Sequence, residues 1–169
     1  DFELTTVDGT PIRLSDRIGA RPLVLIFGNY TCGPFRAQAG NLQRLHERYG
    51  DRADFLMVYV REAHPEDGWA SGNNRRVGVQ VMQPQQYDER LTIARTCSAH
   101  LNFDIPVLVD SLDDPVGRSY SGGPARLYLI DREGKIAFKG GRGPHYFLPS
   151  QLESALVWML TEEQADRAE

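Results

Sequence analysis

The residues of this chain best suited to chemistry are one cysteine and the few groups a fold could gather round it. Cys32 lies in the stretch FGNYTCGPF, Phe27 to Phe35, where a dithiol oxidoreductase would carry C-G-P-C; here the second position is Phe35, so no two-cysteine ring closes locally. A lone thiol in this setting can serve as a nucleophile. The thiolate is the reactive form, and a cysteine at a helix N-terminus has its anion favoured by the helix dipole and by free backbone N–H groups. Gly33 lets the backbone approach a substrate, and Pro34 fixes a first turn without needing an N–H. Thr31 either hydrogen-bonds the sulfur or merely ends the preceding strand. His64 is suited to proton donation near neutral pH, with Glu62 two positions away to hold or tune it; otherwise it is a surface histidine before Pro65. Trp69 offers an aromatic wall, and the glycine-flanked Arg142 is either a fork for a carboxylate or phenolate or a solvated loop residue. The second cysteine, Cys97, is either a resolving thiol or a small apolar residue on a helix face.

Such a set supports attack by Cys32 on a soft electrophilic atom, protonation by His64 of what leaves, and restoration of the enzyme by an outside thiol. If the atom is aryl iodine, the intermediate is a sulfenyl iodide. If it is a peroxide oxygen, the intermediate is a sulfenic acid that Cys97 or an external thiol reduces. The peroxiredoxin signature P-x-x-x-T-x-x-C is absent, since Leu25 and Asn29 stand at its proline and threonine. A thioredoxin-fold binding domain that has lost its chemistry is the third reading, and general disulfide exchange is the least favoured, because Phe35 removes the resolving partner.

The elements that must position these groups read in order. A hairpin over residues 1–14 turns at Asp8-Gly9. Pro22 to Phe27 is a continuous apolar run, as in a central strand covered on both faces. From Pro34 the apolar positions Phe35, Ala39, Leu42, Leu45 and Tyr49 recur at helical spacing until Gly50. Asp54 to Val60 is a second strand and completes a β-α-β unit with Cys32 at the carboxyl end of its first strand, the edge where sites form in open α/β sheets. Residues 61–86 then lose all periodicity, a long insertion that holds Glu62, His64, Trp69 and the turn-forming Asn73-Asn74. A helix follows from about Asp88 to Leu101 with Leu91, Ala94, Cys97 (or Ser98) and Leu101 inward, then a strand Ile105–Val109 and a turn Asp110–Asp114. Strands Arg126–Ile130 and Lys135–Phe138 form a hairpin through Asp131–Gly134, and Ser150 to about Leu160 is the last helix. Pro124 lies near the position of a thioredoxin-fold cis-proline but one residue early, and no cis bond is assigned to it. The order is that of one α/β domain, a thioredoxin-like fold with a central mixed sheet flanked by helices.

Composition narrows the function further. At 169 residues the chain can bury a core without metal or disulfide staples. A net charge of −4 argues against nucleic acid or an anionic membrane as the main partner, while leaving room for local positive sites. Two cysteines and four scattered histidines do not make a zinc site, and no apolar run reaches membrane-spanning length. The expectation is a soluble domain with no bound cofactor, cytoplasmic unless a leader or anchor precedes Asp1, with a homodimer left open.

Three strings carry a wider likeness: FGNYTCGPF, YVREAHPEDGWASGNN (Tyr59 to Asn74) and ARLYLIDREGKIAFKGGRGP (Ala125 to Pro144). In their order and spacing the chain resembles the iodothyronine deiodinase family, thioredoxin-fold enzymes that remove iodine reductively from thyroid hormones. The resemblance implies that Cys32 stands in the place of the family's selenocysteine, that His64 and Glu62 match its site histidine and glutamate, that Tyr59 matches its site tyrosine, and that Arg142 matches its substrate-clamping arginine. It implies a small-molecule substrate, a halogenated phenol or thyronine, and an external thiol reductant such as dithiothreitol, glutathione or the thioredoxin system. The chain departs from the pattern where a further family histidine falls near Pro84, where a serine falls at Asn29, and where a second cysteine falls near Ile105.

Overall fold

The structure is a computed structural model and describes residues 1–166. Its centre is a seven-stranded mixed sheet in the order β2-β1-β5-β4-β3-β6-β7. The strands are β1 Glu3–Thr6, β2 Pro11–Arg13, β3 Leu23–Gly28, β4 Asp54–Tyr59, β5 Val107–Val109, β6 Arg126–Ile130 and β7 Ile136–Lys139. The helices are α1 Gly33–Tyr49, α2 Gly72–Arg76, α3 Tyr87–Leu101, α4 Pro115–Ser119 and α5 Pro149–Asp166, with a single 3₁₀ turn at Leu14–Arg17.

β3, β4 and β5 run parallel, while β1, β2, β6 and β7 join them antiparallel. A parallel run that advances in one direction, closed by right-handed crossovers, sends its connecting helices to one face. The packing agrees: Leu42 of α1, Ala94 and Cys97 of α3 and Leu152 and Leu156 of α5 share one core with Val24, Ile26, Met57 and Tyr59. The opposite face buries Leu23, Leu25, Phe27, Leu56 and Val58 under the 3₁₀ turn, Val116 of α4 and the N-terminal segment. Leu23–Phe27 of β3 and Phe55–Tyr59 of β4 are therefore apolar at every position because they alternate between two cores.

The five apolar positions that predict α1 are all buried. Three local expectations need amending. The strand expected over Ile105–Val109 is shortened to β5, since Pro106 has no N–H to give a ladder. The turn after it continues into α4, which at five residues is too short to leave a periodic signal. The Gly123–Pro124 peptide is cis, as is Gly143–Pro144.

Candidate active site

Cys32 is the residue that caps α1, its backbone extended and Pro34 following in the first turn. The helix is seated there by Phe35, whose ring lies against the last residue of β3: a Cβ at Gly28 would come within 2.5 Å of it. Phe35 also meets the edges of Phe103 and Phe147. The residue that replaces the usual second cysteine is thus a core anchor that fixes where Cys32 begins the helix.

Beside the thiol lies a polar frame whose members Asn29, Thr31, Tyr59 and Glu62 are all buried. β3 and β4 pair so that Gly28 sits opposite Tyr59, which brings the segments leaving both strands together. The buried carboxylate of Glu62 accepts the Thr31 amide at 2.9 Å, the Thr31 hydroxyl at 2.6 Å and the Tyr59 hydroxyl. Tyr59 Oη in turn accepts the Tyr30 amide at 3.0 Å. Thr31 Oγ1 accepts the backbone N–H of His64 at 3.0 Å, so its hydroxyl joins the glutamate to the histidine's main chain. Asn29 closes the set, accepting the Ala63 amide at 3.1 Å and donating to the Pro124 carbonyl at 2.9 Å. From the insertion, Asn74 of α2 donates to the Thr31 carbonyl at 2.8 Å and accepts from Arg36, one turn into α1, at 2.7 Å. Arg36 also donates to the Tyr30 carbonyl.

The placement of the expected site residues follows from this frame. Cys32, Thr31, Glu62 and His64 come together. Glu62, however, does not hold the imidazole: its hydrogen bonds go to Thr31 and Tyr59, and the His64 ring is held by the insertion, with Nδ1 2.9 Å from the Trp69 carbonyl and the two rings edge to face at 4.7 Å. A carbonyl only accepts, so Nδ1 carries a proton and Nε2 is the nitrogen left to exchange one. The Thr31 hydroxyl bonds Glu62 and the His64 N–H, a placement outside both expectations for it, a bond to the sulfur or a mere strand end. Tyr59 is fully buried beneath the loop and touches no open space. Trp69 is 79% exposed, a wall beside His64. Arg142 is exposed and donates through Nε to the Gly123 carbonyl, next to Pro124. Cys97 is buried in the core under α3, and both thiols are free.

Sequence reasoning missed Asn29, Arg36 and Asn74 as working parts. Arg36 carried a signal, since it follows Cys32 by four positions on a helix; Asn29 was read only as the position of a family serine, and Asn74 only as a turn former within the insertion.

Electrostatics at the thiol differ from the expectation of a lowered pKa. Cys32 is 2% exposed, and burial pushes the thiol up, against the pull of the Phe35 amide and the Arg36 charge. Glu62 adds to the rise. Burial also raises Glu62 toward its neutral form, partly offset by its bonds from Thr31 and Tyr59 and by the charge of Arg90. Burial drives Cys97 far above the usual thiol range, so it stays a thiol in the closed fold. Among the described residues no His, Cys, Asp and Glu group could hold a metal ion, and no helix is long and apolar enough to cross a membrane.

The chain is similar over most of its length to enzymes of one kind. A thyroxine 5-deiodinase of Gallus gallus is 37% identical over 150 residues, 89% of this chain and 56% of the relative. A type II iodothyronine deiodinase of Sus scrofa is 35% identical over 159 residues, 91% of this chain and 57% of the relative. The chain spans about half the length of the curated relatives it matches. Among solved structures, a secreted disulfide oxidoreductase of Mycobacterium tuberculosis superposes with a TM-score of 0.66 at 15% identity, covering 92% of this chain and 94% of that one. A thioredoxin-like protein of Aeropyrum pernix gives 0.61 at 18% identity, over 91% and 86%. These confirm a thioredoxin-like fold. The family model described as iodothyronine deiodinase matches residues 4–159, and with the relatives above it places this chain in the iodothyronine deiodinase family.

Proposed function

We propose that the chain is a thiol-dependent reductive deiodinase of iodinated phenols, with Cys32 as nucleophile and His64 as proton donor. The observation that carries the reading is the frame of Asn29, Thr31, Glu62 and Tyr59, which binds the Cys32 loop to the His64 turn in a chain of this family. Its effect is positional. Two segments that leave neighbouring strands are held at fixed separation, so the sulfur and the imidazole meet one substrate together.

The Cys32 thiolate attacks iodine; the S–I bond forms, the C–I electron pair goes to the ring carbon, and that carbon takes a proton from His64. The products are the deiodinated phenol and a sulfenyl iodide. Two equivalents of an external thiol then give Cys32 thiol, a disulfide and hydrogen iodide. Glu62 and Thr31 are positioning residues: they hold the His64 main chain and touch neither reacting atom. Trp69 supplies a face for an aromatic ring beside His64.

The test is iodide release from iodinated phenols with excess dithiothreitol, beside Cys32→Ser and a parallel peroxide consumption assay. Release that disappears in the variant supports the reading. Cys32-dependent peroxide consumption without iodide release overturns it in favour of a thiol peroxidase.

A further inference from the structure

One fully buried cation takes no part in the reaction above. Arg90 of α3 is sealed from solvent, an unusual state for an arginine, and what it holds must account for it. Its Nη1 donates to the carbonyls of Asp110 at 3.2 Å and Ser111 at 2.7 Å and pairs with Asp114 at 2.6 Å. Its Nε, equally buried, has no hydrogen-bond partner among the described residues. Two short links run from this cluster to residues on either side of Glu62. The Asp110 amide donates to the Tyr59 carbonyl at 3.1 Å, and Asp114 accepts the Arg61 amide at 3.1 Å. The exit of β4 is therefore held from two sides, by the Arg90 cluster after β5 and by Thr31 of the thiol loop.

Charge explains why the holding group is a guanidinium. Every hydrogen bond that Glu62 accepts comes from a neutral donor, the Thr31 amide, the Thr31 hydroxyl or the Tyr59 hydroxyl. A buried carboxylate held in this way still lacks a countercharge. The other ionisable groups that face it are Tyr59 of β4, Cys32 at the start of α1 and Cys97 of α3; burial raises all three, so they are uncharged at neutral pH. Arg90 is the cation whose charge favours the Glu62 carboxylate. Asp110 directs its carboxyl to the amides of Ser111 at 3.0 Å and Gly117 at 2.7 Å, which leaves Asp114 as the carboxylate that Arg90 pairs with.

We propose that Arg90 is a positioning residue for the site: it anchors the exit of β4 through Asp110 and Asp114 and supplies the positive charge that keeps Glu62 an acceptor of hydrogen bonds. The effect on turnover rests on the deiodinase reading; the support of Glu62 does not. As a carboxylate Glu62 accepts three hydrogen bonds, whereas the neutral acid must donate from one oxygen, so a donor on Thr31 or Tyr59 loses its acceptor. Thr31 carries the His64 amide, and its disturbance reaches the imidazole.

The experiment reads Glu62 and turnover separately. Infrared difference spectra recorded against pH give the midpoint at which the Glu62 carboxylic acid band forms, the band being assigned by its loss in Glu62→Gln. Arg90→Gln should raise that midpoint by about one pH unit, and Arg90→Lys, which keeps a charge but not the fork, should return most of the change. Asp114→Asn breaks the ion pair without removing the cation and keeps an acceptor for the Arg61 amide, so its midpoint should be no higher than that of the unaltered protein. At a pH between the midpoints of the unaltered protein and Arg90→Gln, kcat for iodide release should fall about tenfold in Arg90→Gln with KM changed less than about twofold, and Arg90→Lys should recover most of it. A midpoint unmoved in Arg90→Gln makes Arg90 a mere staple and overturns the proposal, as does a raised midpoint with unchanged kcat. If Arg90→Gln does not fold, the two variants that keep the cation carry the test, and a midpoint about one unit higher in either overturns it. The expected midpoints with no iodide release even from the unaltered protein keep the support of Glu62 and overturn the deiodinase reading instead.

Discussion

At the sulfur of Cys32, burial and local charge pull in opposite directions. Desolvation raises the thiol above its ordinary value, while the Phe35 amide and the Arg36 guanidinium favour the anion. The neutral thiol is therefore the resting form at neutral pH, and thiolate grows as pH rises. Alkylation of Cys32 by iodoacetamide should accelerate with pH, with its midpoint above that of a free cysteine. Arg36→Gln should move the midpoint further up and slow alkylation at neutral pH by several-fold, whereas Arg36→Lys, which keeps the charge, should restore most of the rate. A midpoint below that of free cysteine would contradict the burial argument. Residue types at the site were legible from the sequence: a cysteine before a proline-initiated helix, and a histidine with a nearby glutamate. Their partners were not. That Glu62 bonds Thr31 and Tyr59 and not the imidazole depends on how closely the exits of β3 and β4 approach, and no local pattern encodes that distance. Burial of the thiol is likewise a property of everything packed over it.

Among the elements, α1 and α2 set the site. α1 is seated by Phe35 on Gly28, between Phe103 and Phe147. Phe35→Cys, which rebuilds the two-cysteine motif, removes a buried ring and should destabilise the protein by about 2–4 kcal/mol in urea unfolding. A loss under about 1 kcal/mol would mean that the ring is not the anchor. α2 is held to the thiol loop by Asn74, which joins the Thr31 carbonyl to Arg36. Asn74→Ala leaves both groups short of a partner, so the insertion should lose hydrogen-exchange protection over residues 62–76, with a global cost of about 1–3 kcal/mol. Unchanged protection there would free α2 from any role in ordering the site. α1 was legible because five apolar positions fall on one face. α2 and α4 were not, because five-residue helices are held by tertiary hydrogen bonds and leave no period to read.

For the molecule as a whole, a buried acid beneath the site trades stability for a fixed geometry. The folded state raises Glu62 above its ordinary value of 4.5, so between that value and the folded one the native protein binds a proton that the unfolded chain has released. Stability from this group therefore falls as pH rises through that window, and the loss is complete above it. Denaturant midpoints measured from about pH 5 to about pH 8 should show a downward contribution that Glu62→Gln removes; the same slope in the variant would contradict it. The central mixed sheet and its two-sided core were legible, since apolar runs at β3 and β4 demand cover on both faces; the order of the strands was not, because it depends on pairings between distant segments. The most direct test of the central claim is one turnover without reductant: protein mixed with excess iodinated phenol and no thiol, with the deiodinated phenol and the mass of the Cys32 peptide both measured. One deiodinated phenol per chain is expected, after which the reaction stops until thiol is added, and Cys32→Ser should form none. Product from Cys32→Ser, or an aryl group found on Cys32, would contradict attack by this sulfur on iodine.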